Sequence, residues 1–417
     1  MSLVLKVISP IVYELEKGIR SFTNKERRDH MLVFQDWYDN HRSSCDCPNI
    51  HYPLTMEEVV IDQNAMTHLY HFLRRKEYSH ALIVCDDQTK QMVDMITREG
   101  HMPCRYTKSL LSPDSQGDVL ADEKAIVRAL IDIPKDADVM IAVGSGTIHD
   151  ITRFVSYKVG LPFISFPTAP SVDGFNSMGA PIVVNKKKIT FQTHAPIALF
   201  ADLTILCDAP QEMVAAGFGD MLGKYTSLVD WEFGHAIANE PFCPAVARMT
   251  REALNTCVAN SELIKAKDKE GIRVLMTALI QSGMAMAMFG RSHPASGAEH
   301  HLSHFWEMTF IKEERKQLLH GAKVGVAASV IADLYHNEVT DLFKQDPNSD
   351  DALLTGLIAR IPSGEELRQF IYQAGGKTTP NELGIGNSLL QESLREAHNI
   401  RDRATFLHYR NSRTLTS

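Results

Sequence analysis

From Met56 to Cys207 short apolar runs alternate with helix-length segments, and beyond Pro210 runs of strand length disappear. This change of hydrophobic period points to an α/β half followed by an all-helical half. The expected strands are 58–61, 81–85, 104–107, 139–143 and 162–166, with helices such as 88–99 and 121–130 between them. Apolar runs alternating with helices describe a parallel sheet covered on both faces. After Pro181, Ile182-Val183-Val184 and Ile189-Thr190-Phe191 flank Asn185-Lys186-Lys187-Lys188, which reads as a hairpin. The expected organisation is an N-terminal helical extension over 1–55, with helices at 12–18 and 25–38. An α/β nucleotide-binding domain with a Rossmann-like parallel sheet then covers 56–207, and an all-helical metal- and substrate-binding domain covers 208–417. The site is expected in the cleft between the last two.

Charge and cysteine usage narrow the partners. A net charge of −8 argues against nucleic acid, whose phosphates are met by clustered Lys and Arg. It leaves room for a phosphorylated metabolite, because a local pocket of donors is enough. The start of the chain lacks a basic, then apolar, leader, and the most apolar stretch, 274–290, contains Thr277, Gln281, Ser282 and Gly283. That stretch reads as a helix buried in a bundle rather than a membrane span, so a cytoplasmic protein is expected. Seven Cys are too few and scattered for a disulfide framework. Cys45-Asp46-Cys47 has no second pair beside it and reads as unpaired thiols. Met-rich helical faces point to a homodimer.

Three loops sit where the sheet should end. Gly144-Ser145-Gly146-Thr147-Ile148-His149-Asp150 follows the run 139–143. Its glycines allow close approach of a pyrophosphate, and the following helix offers unpaired N–H groups. It lacks the third glycine of the common dinucleotide fingerprint, and an ordinary strand-to-helix turn has the same pattern. Asp86 ends the run 81–85, where a carboxylate accepts from a ribose hydroxyl and repels a 2′-phosphate. That favours NAD over NADP, although strand-end acids are also commonly just solvated. The stiff segment from Phe166 through Pro167, Thr168, Ala169, Pro170, Ser171, Val172, Asp173 and Gly174 to Phe175 sits at the carboxyl edge. There Asp173 can accept from substrate, and Thr168 and Ser171 can contact cofactor.

The helical half carries a carboxylate in small-residue surroundings, Gly217-Phe218-Gly219-Asp220, and the clusters Glu299-His300-His301-Leu302-Ser303-His304 and His320-Gly321. One carboxylate and two separated histidines suit a catalytic divalent metal with open positions. His300 and His304 share a helical face, so one can bind metal while the other faces substrate. The competing reading of Asp220 is a plain i,i+4 pair with Lys224. Arg291, His293 and Lys323 flank these segments as candidate phosphate contacts.

Taken together, the 143–150, 166–175 and 215–224 motifs, Arg291, 294–297, 299–304, 319–325 and Ile400-Arg401-Asp402-Arg403 resemble the sn-glycerol-1-phosphate dehydrogenase family. The likeness is closest to its bacterial branch, within the iron-containing alcohol dehydrogenase and dehydroquinate synthase superfamily, and it runs from about Met56 onward. It implies a dehydroquinate synthase-like fold and reversible NAD(P)H-dependent reduction of dihydroxyacetone phosphate to sn-glycerol 1-phosphate. It also implies zinc or nickel on Asp220, His300 and His320, with His300 chosen over His301 because the family ligand directly follows the Glu. Asp173 and His304 match substrate-contacting, catalytic positions. Asp86, Gly146, Thr147, Ile148, His149, Asp150, Thr168, Ala169, Pro170, Ser171 and Ser177 match cofactor positions. The alternatives are a polyol dehydrogenase, a carbocycle-forming synthase on the same scaffold, or a catalytically silent sensor.

Overall fold

A computed structural model describes residues 29–98, 101–345 and 351–414. The expected helix at 12–18 and the start of the one at 25–38 lie outside the described residues, as does Glu99. The described part of the second is the helix Asp29–Ser43, which buries Phe34 and Tyr38.

Six strands, β1 (Glu58–Asp62), β2 (His80–Asp86), β3 (Arg105–Leu111), β4 (Val139–Gly144), β5 (Phe163–Pro167) and β8 (Ala198–Asp202), form a parallel sheet in the order β1-β8-β5-β4-β2-β3. Every residue of β4 is buried, as a strand covered on both faces requires. Alternate residues divide between two cores: Val139, Ile141 and Val143 face one side, while Met140 and Ala142 face the other. The chain places β3 on one side of β2 and β4 on the other, so the strand order reverses there. Ligand crevices of open α/β sheets form at such reversals, outside the strands' carboxyl ends. The ends of β2, β4 and β5 carry Asp86, Gly144 and Pro167.

Two features depart from the sequence reading. Strand β8, the run Ala198-Leu199-Phe200-Ala201, was not expected, and it pairs with both β1 and β5. The hairpin pairs β6 (Gly179–Val184) with β7 (Lys187–Gln192) around a turn of two residues rather than four, with Asn185 and Lys186 at φ 51° and 59°. Positive φ at both turn positions matches the right-handed twist of the strands. Lys188 is therefore a strand residue opposite Val183.

From Gln211 onward no strand occurs among the described residues. The helix Lys269–Phe289 has the length and hydropathy of a membrane span, but most of it is buried inside the fold. Its Leu275, Met276, Leu279 and Met288 belong to a core that also takes Leu254 from the helix Pro244–Ala259. Each such aliphatic side chain contributes about 1.5–3 kcal/mol on burial. The same core includes Val59, Ile61, Leu199 and Ala201 from β1 and β8, which fastens the helices to the sheet.

Candidate functional site

One cleft, about 490 Å³ in volume, runs between the sheet's carboxyl edge and the helices. Its first wall is built from turns. Gly144 closes the strand-to-helix turn so tightly that a Cβ there would lie 2.5 Å from the Ile148 side chain. Helix Gly146–Val159 then starts at Ser145, whose side chain caps nothing, so its first N–H groups remain available to an anion. Asp86 Oδ1 accepts from the Thr89 amide and hydroxyl, both at 2.9 Å, which fixes the carboxylate at the cleft wall.

Gly146, Thr147, Asp150, Ser171, Asp173 and Ser177 also line the cleft. The Ile148 side chain is instead buried beneath the sheet. His149 is buried too, donating from Nδ1 to the Ser145 carbonyl at 2.9 Å and accepting at Nε2 from Ser165 Oγ at 2.8 Å. Burial pushes its pKa down to about 3. Thr168, Ala169 and Pro170 lie behind the wall, where the Pro170 carbonyl packs onto Gly217 so closely that any Cβ there would overlap it. Buried Arg153 binds Asp150 Oδ1 at 2.7 Å and the Gly174 and Gly179 carbonyls, holding the 173–179 loop. Burial lifts Asp150 to about 6 despite that cation.

On the second, helical wall His300 and His320 line the cleft, and Asp220 is fully buried just behind them. Asp220 sits in the helix Gln211–Leu222, His300 in Ala298–Lys312 and His320 at the start of His320–Leu334. The first and third helices cross with almost no gap. A Cβ on Gly321 would fall 1.8 Å from the Ala216 carbonyl, and one on Gly219 would lie 2.5 Å from that of Gly321. Glycine at both positions lets the helix backbones touch and brings Asp220 beside His320. One donor atom each from Asp220, His300 and His320 lies within 4.8 Å of the others, with His300 Nε2 3.9 Å from Asp220 Oδ1. His300 Nδ1–H donates to Glu299 Oε1 at 2.7 Å. Glu299 is itself held by Thr226 Oγ1 at 2.6 Å and the Gly297 amide at 2.6 Å. Burial raises the Glu299 pKa, but these partners overcome it and keep it near 2. An imidazole fixed from behind by a carboxylate presents its other nitrogen as a metal ligand. The residues therefore fit a divalent ion with one oxygen and two nitrogen donors.

The i,i+4 pair of Asp220 with Lys224 is present. Buried Lys224 donates to Asp220 Oδ1 at 3.0 Å and lies 2.8 Å from Asp173 Oδ2, which also accepts from Ser282 Oγ at 2.8 Å. Burial alone lowers the Lys224 pKa, but the two carboxylates outweigh it and keep the ammonium charged. A second possible set, His304, Glu307 and His320, shares His320. Its carboxylate is already bridged by Lys188 at 2.8 Å and Lys323 at 2.9 Å.

The cleft's remaining cations are Arg291 and Arg401. Arg401 reaches Ser296 Oγ at 3.0 Å and His304 Nδ1 at 3.4 Å. Burial, reinforced by Arg403, lowers its pKa to about 10. His293 is not brought to the cleft, and its ring packs on Trp231 and Phe289. His301 faces away from the cleft, and both of its ring nitrogens are buried without a partner. The sequence reading gave no role to Glu299, Glu307, Lys188 or Arg401. The signals available among them were the spacing of Glu299 next to His300 and the place of Arg401 in the 400–403 motif.

A family model described as iron-containing alcohol dehydrogenase matches residues 60–210. The glycerol-1-phosphate dehydrogenase (NAD(P)+) of Geobacillus stearothermophilus is 47% identical over 384 residues, covering 88% of this chain and 95% of the relative. Its namesake from Geobacillus thermodenitrificans is 46% identical over 378 residues, covering 86% and 93%. Among solved structures, a glycerol dehydrogenase from Schizosaccharomyces pombe superposes with a TM-score of 0.62 at 19% identity, covering 88% of this chain and 87% of that one. At that identity the likeness speaks for the fold alone.

Proposed function

The chain belongs to the glycerol-1-phosphate dehydrogenase family, and from that premise we propose how its cleft performs the reaction. The reaction is the reversible NAD(P)H-linked reduction of dihydroxyacetone phosphate to sn-glycerol 1-phosphate. The proposed metal ligands are Asp220, His300 and His320, a set of one oxygen and two nitrogen donors that accepts zinc and nickel alike. When bound, the nicotinamide supplies the hydride and the metal polarises the C2 carbonyl oxygen.

The chain's own residues do the rest. The Gly144–Thr147 turn and the helix N-terminus receive the cofactor phosphates, and Asp86 takes a ribose hydroxyl, favouring NAD. Ser171 and Ser177 border the same channel, and Thr168, Ala169, Pro170, Ile148 and His149 fix its backbone. Asp173 has Oδ2 held by Lys224 and Ser282, and its Oδ1 orients a substrate hydroxyl. His304 is kept neutral by burial and by Arg401. With Nδ1 facing that guanidinium it offers Nε2–H as a hydrogen bond that stabilises the charge developing on the substrate oxygen, while the proton that completes the alcohol comes from solvent. Lys188, Lys323 and Arg401 outnumber Glu307, which leaves excess positive charge for a dianionic phosphate. Enclosure of these groups strengthens each interaction. All seven cysteines are free, which supports a reducing, cytoplasmic setting, and a dimer is the assembly we infer.

The observation that carries the site assignment is the convergence of Asp220, His300 and His320, with His300 and His320 facing the helix N-terminus across one cleft. The test is NADH oxidation by chelated protein reloaded with zinc or nickel, using dihydroxyacetone phosphate, with dihydroxyacetone as control and an enantiomer-specific enzyme to read the product. Metal-dependent turnover of the phosphorylated ketone to the sn-1 product is expected. Turnover of only the unphosphorylated ketone would move the reading to a polyol dehydrogenase.

A further inference from the structure

Cys45-Asp46-Cys47, read from the sequence as unpaired thiols, has company in the fold. The segment after the helix Asp29–Ser43 runs against the start of the helix Pro244–Ala259, and four soft donors meet there. Cys45 Sγ is 3.5 Å from Cys243 Sγ, His51 Nε2 is 3.1 Å from Cys243 Sγ, and Cys47 Sγ is 3.5 Å from His51 Nε2. All four donor atoms lie within 4.8 Å of one another, and none of the four residues lines the cleft.

We propose that Cys45, Cys47, His51 and Cys243 form a second metal site, a structural zinc site that fastens the segment preceding β1 to the helical half. Zinc–sulfur bonds of about 2.3 Å and zinc–nitrogen bonds of about 2.0 Å, set at tetrahedral angles, hold their donors roughly 3.5–3.8 Å apart. The Cys45–Cys243 and Cys47–His51 spacings of 3.5 Å match that, and the His51–Cys243 spacing of 3.1 Å is shorter. A disulfide accounts for them less well, because bonded sulfurs sit about 2.05 Å apart and Cys47 and His51 would then have no function. Burial pushes the Cys243 thiol up to about 12, but donors are already directed at two of the sulfurs. Asn49 Nδ2 donates to Cys47 Sγ at 3.3 Å, and the Val246 amide donates to Cys243 Sγ at 3.4 Å. Cys243 is also the N-cap of a 16-residue helix, whose positive end stabilises a negative sulfur. Three sulfurs and one nitrogen select zinc over hard cations, and four protein ligands leave no open position for substrate. The role is therefore structural.

The placement gives the site a consequence for the cleft. One residue beyond His51, the Tyr52 amide donates to the Met288 carbonyl at 3.0 Å, and the Tyr38 hydroxyl donates to the Tyr52 carbonyl at 2.7 Å. The Tyr52 ring packs on the backbone of Gly290, where a Cβ would come within 2.5 Å of it. Gly290 and Arg291 are part of the cleft wall. Zinc at the four-residue cluster would thus hold the strap that backs this wall.

The test uses full-length His320→Ala protein, in which the cleft set is disabled, dialysed against a mild chelator. We expect one zinc per chain to remain. Exchange with cobalt should give the intense near-ultraviolet thiolate-to-cobalt band, which imidazole and carboxylate ligands cannot produce. Adding Cys47→Ser should remove both the retained zinc and the band. Loss of all zinc from His320→Ala with no cobalt–thiolate band would overturn the proposal. So would a Cys45–Cys243 disulfide in the native protein, or zinc retention unchanged by Cys47→Ser. If the serine variant fails to fold, the His320→Ala measurements still decide the matter.

Discussion

The two walls of the cleft are built on opposite plans. The sheet-edge wall presents mainly backbone: a tight turn, the open end of a helix and a loop clamped by Arg153. The helical wall presents side chains from three helices, and those side chains reach one another because Gly219 and Gly321 let two helices touch. A wall made of backbone is specified by short stretches of sequence. A wall made of converging side chains depends on long-range packing. Charge ties the two plans together. Lys224 is buried between Asp220 behind the helical wall and Asp173 of the sheet-edge loop, and Glu307 is bridged by Lys323 and by Lys188 of the hairpin, whereas Asp150 and Arg153 pair within the turn wall.

Removing one side chain from each wall should break this contrast most clearly. His320→Ala is expected to abolish turnover, by more than about a thousandfold, while circular dichroism shows the fold intact. Near-normal activity with the cleft metal depleted would refute the ligand assignment. Glu299→Gln keeps the shape but weakens the grip on His300, and should lower metal affinity roughly 10–100-fold in a competition titration against a chelator. Unaltered affinity would mean His300 is oriented by packing alone.

The turn wall contributes to the acid response through one buried histidine. His149 has a folded pKa near 3 against an ordinary 6.5, so the unfolded chain binds the proton first as pH falls. Its contribution is therefore complete above pH 6.5 and is lost as pH drops from there toward 3, at up to about 1.4 kcal/mol per pH unit. Denaturant unfolding of His149→Gln between pH 7 and 5 should show a shallower acid limb than the parent. Identical limbs would remove His149 from the account. The smallest effect is expected from Asp86→Ala, a few-fold shift in kcat/KM toward NADPH. An unchanged cofactor ratio would leave Asp86 only its turn bonds to Thr89.

What could be read from the sequence follows the same division. Five of the six sheet strands were legible because apolar runs bounded by turns report burial locally. The exception was β8, five residues whose partners β1 and β5 are distant in sequence. The glycine turn, Asp86 and the 166–175 loop were legible because each lies directly after a strand. The sequence also supplied the residue types for a metal, Asp220 and the histidine clusters, since carboxylate and imidazole in apolar surroundings require partners.

Only the tertiary structure decided which of these residues meet. His300 and His301 are about 100° apart around one helix, so the docking of that helix, and not the local sequence, turns one into the cleft and the other into the core. Cys45 and Cys47 looked solitary because their companion Cys243 lies across the fold and His51 is unremarkable by spacing. Lys188, Glu307 and Lys323 come together from a hairpin and two helices. The chain fixes the local periods and residue types, whereas convergence depends on how closely the backbones can approach, and only packing in three dimensions sets that distance.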